Sequence, residues 1–160
     1  MRRRDREAQC DGFTLVELCV VIAIIGLLLA IAVPTFLASQ NKAKDRSAQS
    51  SLRNSLNAAL TVYADSQDYG QLTVASLTLV EPSRIWLTAS TVSANPNQVS
   101  FDHPNSTSFV AAAHSMAGGC FFIRDDRALS VGFDRFAYLE TGLCEADLAP
   151  TGATDWTSQW

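Results

Sequence analysis

The stretch Gly12-Phe13-Thr14-Leu15-Val16-Glu17-Leu18, with the apolar run of residues 19–33 behind it, decides how the rest of the chain is read. Residues 13–33 carry a single charge, Glu17. At ~1.5 Å per residue they predict a helix of roughly 31 Å, which matches the hydrocarbon thickness of a bilayer. A carboxylate in such a helix is costly in lipid and calls for a partner. The residues alone leave two readings of Glu17 open: an interfacial side chain that reaches back to water, or a charge kept for a specific contact.

Toward the N-terminus, residues 1–12 hold Arg2, Arg3, Arg4 and Arg6 against Asp5, Glu7 and Asp11. The positive-inside rule places this end in the cytoplasm and exports the C-terminal part. No A-x-A pattern follows the apolar run, and the only small residue at a suitable cut is Gly12, ahead of it. The apolar segment is therefore expected to stay in the mature protein. Beyond Arg53 there are 4 basic and 11 acidic residues, a balance that disfavours nucleic-acid binding by simple charge. A length of 160 residues leaves room for one globular domain besides the apolar segment.

Toward the C-terminus, Gly26 and Pro34 weaken the rod, Gly26 through low helix propensity and Pro34 by removing a backbone donor. The helix is then expected to continue over residues 34–66. Ala48, Leu52, Leu56, Ala59, Leu60 and Tyr63 form one apolar stripe, while Gln49, Arg53, Asn57 and Thr61 face away. Lys42, Lys44 and Arg46 read as a solvated face, with lipid phosphates or neighbouring subunits as the alternative contacts. The run Ser66-Gln67-Asp68-Tyr69-Gly70 predicts the stop, with Gly70 suited to the cap.

Residues 71–84 read as a connection with a short helical turn after Thr73. Short runs at 85–92, 98–102, 108–114, 120–124, 129–133 and 136–139 predict strands. Asn95-Pro96-Asn97, His103-Pro104-Asn105 and Met116-Ala117-Gly118-Gly119 punctuate them as turns. The fold expected is α+β, a long N-terminal helix packed through its amphipathic half on a C-terminal antiparallel sheet. Trp156 is expected to pack on that sheet, with an adhesive surface contact as the alternative.

Of the four cysteines, Cys10 lies in the leader and Cys19 in the apolar run, which leaves Cys120 and Cys144 together in the exported part. A disulfide between them would close a loop of about 25 residues and stabilise by ~3.5 kcal/mol, given an oxidising compartment. Two buried thiols are the alternative.

The sequence G-F-T-L-V-E-L followed by C-V-V-I-A-I-I-G-L-L-L-A-I-A-V-P resembles the N-terminal signal of type IV pilins and pseudopilins. The resemblance covers about 25 residues. It implies residues 1–12 as a leader, cleaved between Gly12 and Phe13 by a membrane prepilin peptidase, and N-methylation of Phe13. It also implies residues 13–33 as a membrane helix that becomes a filament core, with Phe13, Glu17, Gly26 and Pro34 serving assembly. Residues 34–66 would be the amphipathic half and residues 67–160 a sheet-based head with a disulfide-bounded C-terminal region. Glu17 then gains its partner: the Phe13 amine of a neighbouring subunit.

Catalytic signatures are missing from the sequence. His103 and His114 have no neighbour set suggesting a triad or a metal site, and no phosphate-cradling loop occurs. No enzyme and no cofactor are expected. Asp125, Asp126 and Asp134 are weak candidates to hold calcium, against which solvated turns are favoured in the absence of an EF-hand spacing.

The resemblance implies a structural subunit of a type IV pilus-like surface filament, made as a single-pass inner-membrane precursor. Its partners would be itself and other pilins, the prepilin peptidase, an assembly platform and the membrane, with nucleic acid left open through DNA uptake. Adhesion and twitching motility are the other uses such filaments serve. The rivals are a pseudopilin of a type II secretion or competence system, and a membrane-anchored binding module that never polymerises.

Overall fold

The computed structural model describes residues 12–128, 134–140, 142–150 and 156–158. Helix α1 runs Leu15–Ser66 without interruption. Its contacts divide the chain into two units, one ending at Ser39 and the other beginning at Gln40.

In the first unit every side chain of residues 13–39 is exposed. The helix passes through Gly26 and Pro34 unbroken, so the weak points of the sequence do not end it. Just past Pro34, the Thr35 hydroxyl donates back to the carbonyls of Ile31 at 3.2 Å and Ala32 at 2.9 Å.

In the second unit the remainder of α1 packs on a sheet. Ala48, Leu52, Leu56 and Ala59 are buried as the stripe predicts, and Leu60 and Tyr63 lean against the same core. Ser51, Ser55 and Ala58 are buried beside them. The two serines satisfy their hydroxyls by donating to the carbonyls of Ser47 and Ser51, 3.0 and 2.8 Å away. Gly70 does not cap the helix. Gln67 does, taking φ of 55° while its N–H reaches the carbonyl of Tyr63 at 2.7 Å. Asp68 instead starts a 3₁₀ turn, Tyr69–Gln71, by accepting from the Gly70 N–H. The helical turn after Thr73 is present as α2, Val74–Val80, opened by a reciprocal Thr73–Ser76 capping box.

Five strands follow in the order β1 (Ile85–Leu87), β2 (Gln98–Asn105), β3 (Ser108–His114), β4 (Cys120–Asp126) and β5 (Asp134–Leu139), adjacent in space as in sequence. Strands β2 to β5 are antiparallel. The first is not: β1 pairs parallel with β2, because the chain loops back over residues 88–97 before re-entering the sheet. His103-Pro104-Asn105 also departs from expectation, lying in β2 at a register shift rather than in a turn. Pro104 is tolerated there because β1 pairs only as far as Ser100, so the missing N–H interrupts no ladder on that edge. The expected strand at 129–133 falls outside the described residues.

The sheet is buried on both faces. Phe101, Phe109, Ala111, Ala113, Phe121, Ile123 and Phe136 meet α1. Val110, Ala112, Phe122 and Ala137 meet Cys144, Ala146 and Trp156 from the C-terminal segment, which contains the 3₁₀ turn Ala146–Leu148. That alternation follows from the two-residue period of a strand.

Candidate functional site

At the start of α1 the Thr14 hydroxyl and backbone N–H both donate to one Glu17 carboxylate oxygen, at 2.8 and 2.9 Å. The Glu17 N–H returns a bond to the Thr14 hydroxyl at 3.2 Å. This reciprocal box satisfies donors that a helix start leaves orphaned, and it fixes the carboxylate against the helix end. Phe13 is 85% exposed beside it. A Cβ added at Gly12 or Gly26 would meet nothing within 4 Å. The helix of the first unit is long and apolar enough to cross a membrane, and none of that apolar window is buried in the protein. A soluble core helix would have its apolar face covered. The geometry is that of a surface made for lipid or for other helices.

The head carries two fastenings. Cys120 and Cys144 form a disulfide, joining the first residue of β4 to the C-terminal segment. Around it the Ser93 N–H donates to the Cys144 carbonyl at 2.8 Å and the Ala146 N–H to the Ser100 hydroxyl at 3.0 Å. Trp156 is buried as expected, with its indole N–H on the Pro150 carbonyl at 2.7 Å. Breaking the bridge with Cys120→Ser and Cys144→Ser together is expected to lower head stability by about 3 kcal/mol, read as a shift of the urea midpoint.

The second fastening was hidden in the sequence among the weak calcium candidates. Asp125 is completely buried on the α1 side of β4. One of its oxygens accepts a hydrogen bond from the Tyr69 hydroxyl and, at 2.6 Å, from the Arg127 guanidinium, which also lies over the Tyr63 ring. Asp126 pairs with Arg124 at 2.7 Å. Both carboxylates are thus engaged by arginines, and the side chain of Asp134 lies outside the described residues. Among the described residues no three His, Cys, Asp or Glu side chains gather as a metal site would require. The signal for Asp125 was its parity: Phe121, Ile123 and Asp125 share the inward face.

Burial, reinforced by the Asp125 carboxylate, raises the Tyr69 phenol well above its ordinary value. The folded protein therefore keeps a proton that the unfolded chain loses near pH 10. Stability contributed by this phenol is complete below that pH and declines above it, at ~1.4 kcal/mol per pH unit. Tyr69→Phe is expected to flatten the alkaline limb of a stability–pH profile measured by denaturant melts, although it lowers stability near neutrality.

Comparison with known proteins bears on both ends. Residues 8–33 match the prokaryotic N-terminal methylation motif. The type IV major pilin protein of Myxococcus xanthus is 40% identical over 58 residues, 36% of this chain and 26% of that protein. The type IV wide pilus major component of Thermus thermophilus is 32% identical over 104 residues, 63% of this chain and 79% of that protein. The chain belongs to the type IV pilin family. No solved structure matches it significantly. The pilin is a structural protein, and its exposed apolar helix is the part that carries the family motif. The match to the Thermus protein is long enough to require that it extend past the helix into the head.

Proposed function

We propose that this pilin is the polymerising subunit of a surface filament, made as a membrane precursor and assembled through α1. Its Arg-rich leader stays in the cytoplasm, residues 13–33 span the inner membrane, and the head is exported. A prepilin peptidase cuts between Gly12 and Phe13, and Phe13 is N-methylated. The same apolar surface then leaves lipid for the filament core, packing on other pilins as the assembly platform delivers them. Gly26 and Pro34 give that core its most extensible stretch.

The observation that carries this reading is the bare apolar surface of residues 13–37 on a helix whose start matches the methylation motif. Glu17 supports it further. Its carboxylate is already ordered by Thr14 at the helix end, beside the position where cleavage creates an α-amino cation. In an apolar filament core a carboxylate and an amine attract far more strongly than in water. The disulfide suits an oxidising compartment and so supports export of the head. Mass spectrometry of the protein from its own membranes and sheared filaments is the test: the N-terminus is expected to be N-methyl-Phe13. A mature protein that still begins at Met1 overturns the proposal.

A further inference from the structure

The tip of the β2–β3 hairpin carries Asn105-Ser106-Thr107, the one Asn-x-Ser/Thr triplet in the sequence. The Asn105 side-chain oxygen accepts from the Thr107 N–H and from the Thr107 hydroxyl, both at 2.9 Å. Its amide nitrogen, Nδ2, has no partner among the described residues. We propose that Asn105 is a modification site, the acceptor of an N-linked sugar.

The geometry and chemistry of the hairpin tip support this assignment. An amide nitrogen is a poor nucleophile because its electron pair is shared with the carbonyl. Two hydrogen bonds converging on Oδ1 draw charge toward the oxygen and make an Nδ2 proton easier to remove. Both bonds link residues two apart, so the arrangement is available in a chain that has not yet folded. The folded head then has room for the product: Asn105 and Ser106 are exposed, and β1 stops pairing with β2 at Ser100, leaving no strand among the described residues beside the tip on that edge. The Ser106 carbonyl meanwhile accepts the Tyr69 N–H at 2.8 Å, so the backbone under the sugar is held.

The donor required is a sugar linked through its anomeric carbon to a polyprenyl diphosphate, presented with a transferase on the outer side of the inner membrane. Nδ2 forms a bond to the anomeric carbon, the bond from that carbon to the diphosphate oxygen breaks with its electron pair, and one Nδ2 proton passes to a base of the transferase. No oxidation or reduction is involved. The inference rests on the proposed export of the head.

The test is peptide mapping by mass spectrometry of the full-length protein produced in its own host, together with protease treatment of intact cells stripped of their outer layers. A sugar mass increment is expected on the peptide containing Asn105, with fragment ions placing it on that residue. It is expected to vanish in Asn105→Gln and Thr107→Ala and to persist in Thr107→Ser, with the Cys120–Cys144 bridge intact in all three. An unmodified peptide from a head that external protease reaches overturns the modification and leaves export standing. An increment on Ser106 or Thr107 oxygen overturns it equally. A head that protease reaches only after lysis overturns the export reading and this inference together.

Discussion

Replacing Asp125 by Ala is expected to destabilise the head by about 2–4 kcal/mol, the cost of losing charge-assisted hydrogen bonds and leaving a buried hydroxyl without its acceptor. The loss falls on three elements at once. Tyr69 is fully buried and keeps a hydroxyl with no carboxylate to receive its hydrogen bond, while Arg127, about a third exposed, turns to water. The 3₁₀ turn after α1 then loses the carboxylate that ties it to β4, while the Tyr69 ring keeps its packing on Tyr63 and Phe109. Asp125→Asn keeps the volume and removes the charge, so its smaller loss would separate the electrostatic share from the packing share. Chemical denaturation of the disulfide-intact head measures both. A midpoint for Asp125→Ala within error of the parent protein would mean that the buried carboxylate does not tie these elements together.

Glu17→Ala is expected to cut incorporation into filaments on the order of tenfold or more if Glu17 pairs with a neighbour's amine as proposed, since a buried charge pair that loses one partner is strongly weakened. The capping role seen at the helix start and the proposed pairing role meet in this side chain, and a second variant parts them. Glu17→Gln preserves the capping box, because an amide oxygen accepts from Thr14 as a carboxylate does, yet it cannot neutralise a neighbour's amine. If charge sets the register, the Gln variant fails like the Ala variant, while its helix start stays ordered. The measurement is the ratio of variant to parent subunits in sheared filaments from cells making both at equal level. Equal incorporation of the Gln variant would remove the charge from the assembly mechanism, and equal incorporation of the Ala variant would remove Glu17 from it altogether.

How much of this was legible beforehand depends on how local the cause is. The long helix is written in consecutive residues, an apolar run and then a three- and four-residue stripe, so its register and its buried side could be read directly. The Thr73 cap and the turns at Asn95 and Met116 are equally local. The stop of α1 falls within the run 66–70 that predicts it, but the cap is Gln67 rather than Gly70, because the Asp68 cap begins a new turn at once. The parallel pairing of β1 depends on the path of ten loop residues, which no periodicity encodes. Asp125 is the more instructive case. It lies one residue past the strand run read at 120–124 and so reads as a solvated turn, whereas the strand extends through Asp126 and turns Asp125 inward toward a tyrosine 56 positions away.

The two-sided burial of the sheet also orders events in time. Synthesis proceeds from the N-terminus, so β3 and β4 are complete while Cys144, Ala146 and Trp156 have yet to be made. In that interval Val110, Ala112 and Phe122 have nothing to cover them, and Cys120 waits as a lone thiol. A half-finished chain is thus sticky on one side, the condition in which nascent proteins meet chaperones or one another. The head closes from its tail, and a ribosome that stalls before Cys144 leaves behind a head that cannot be finished.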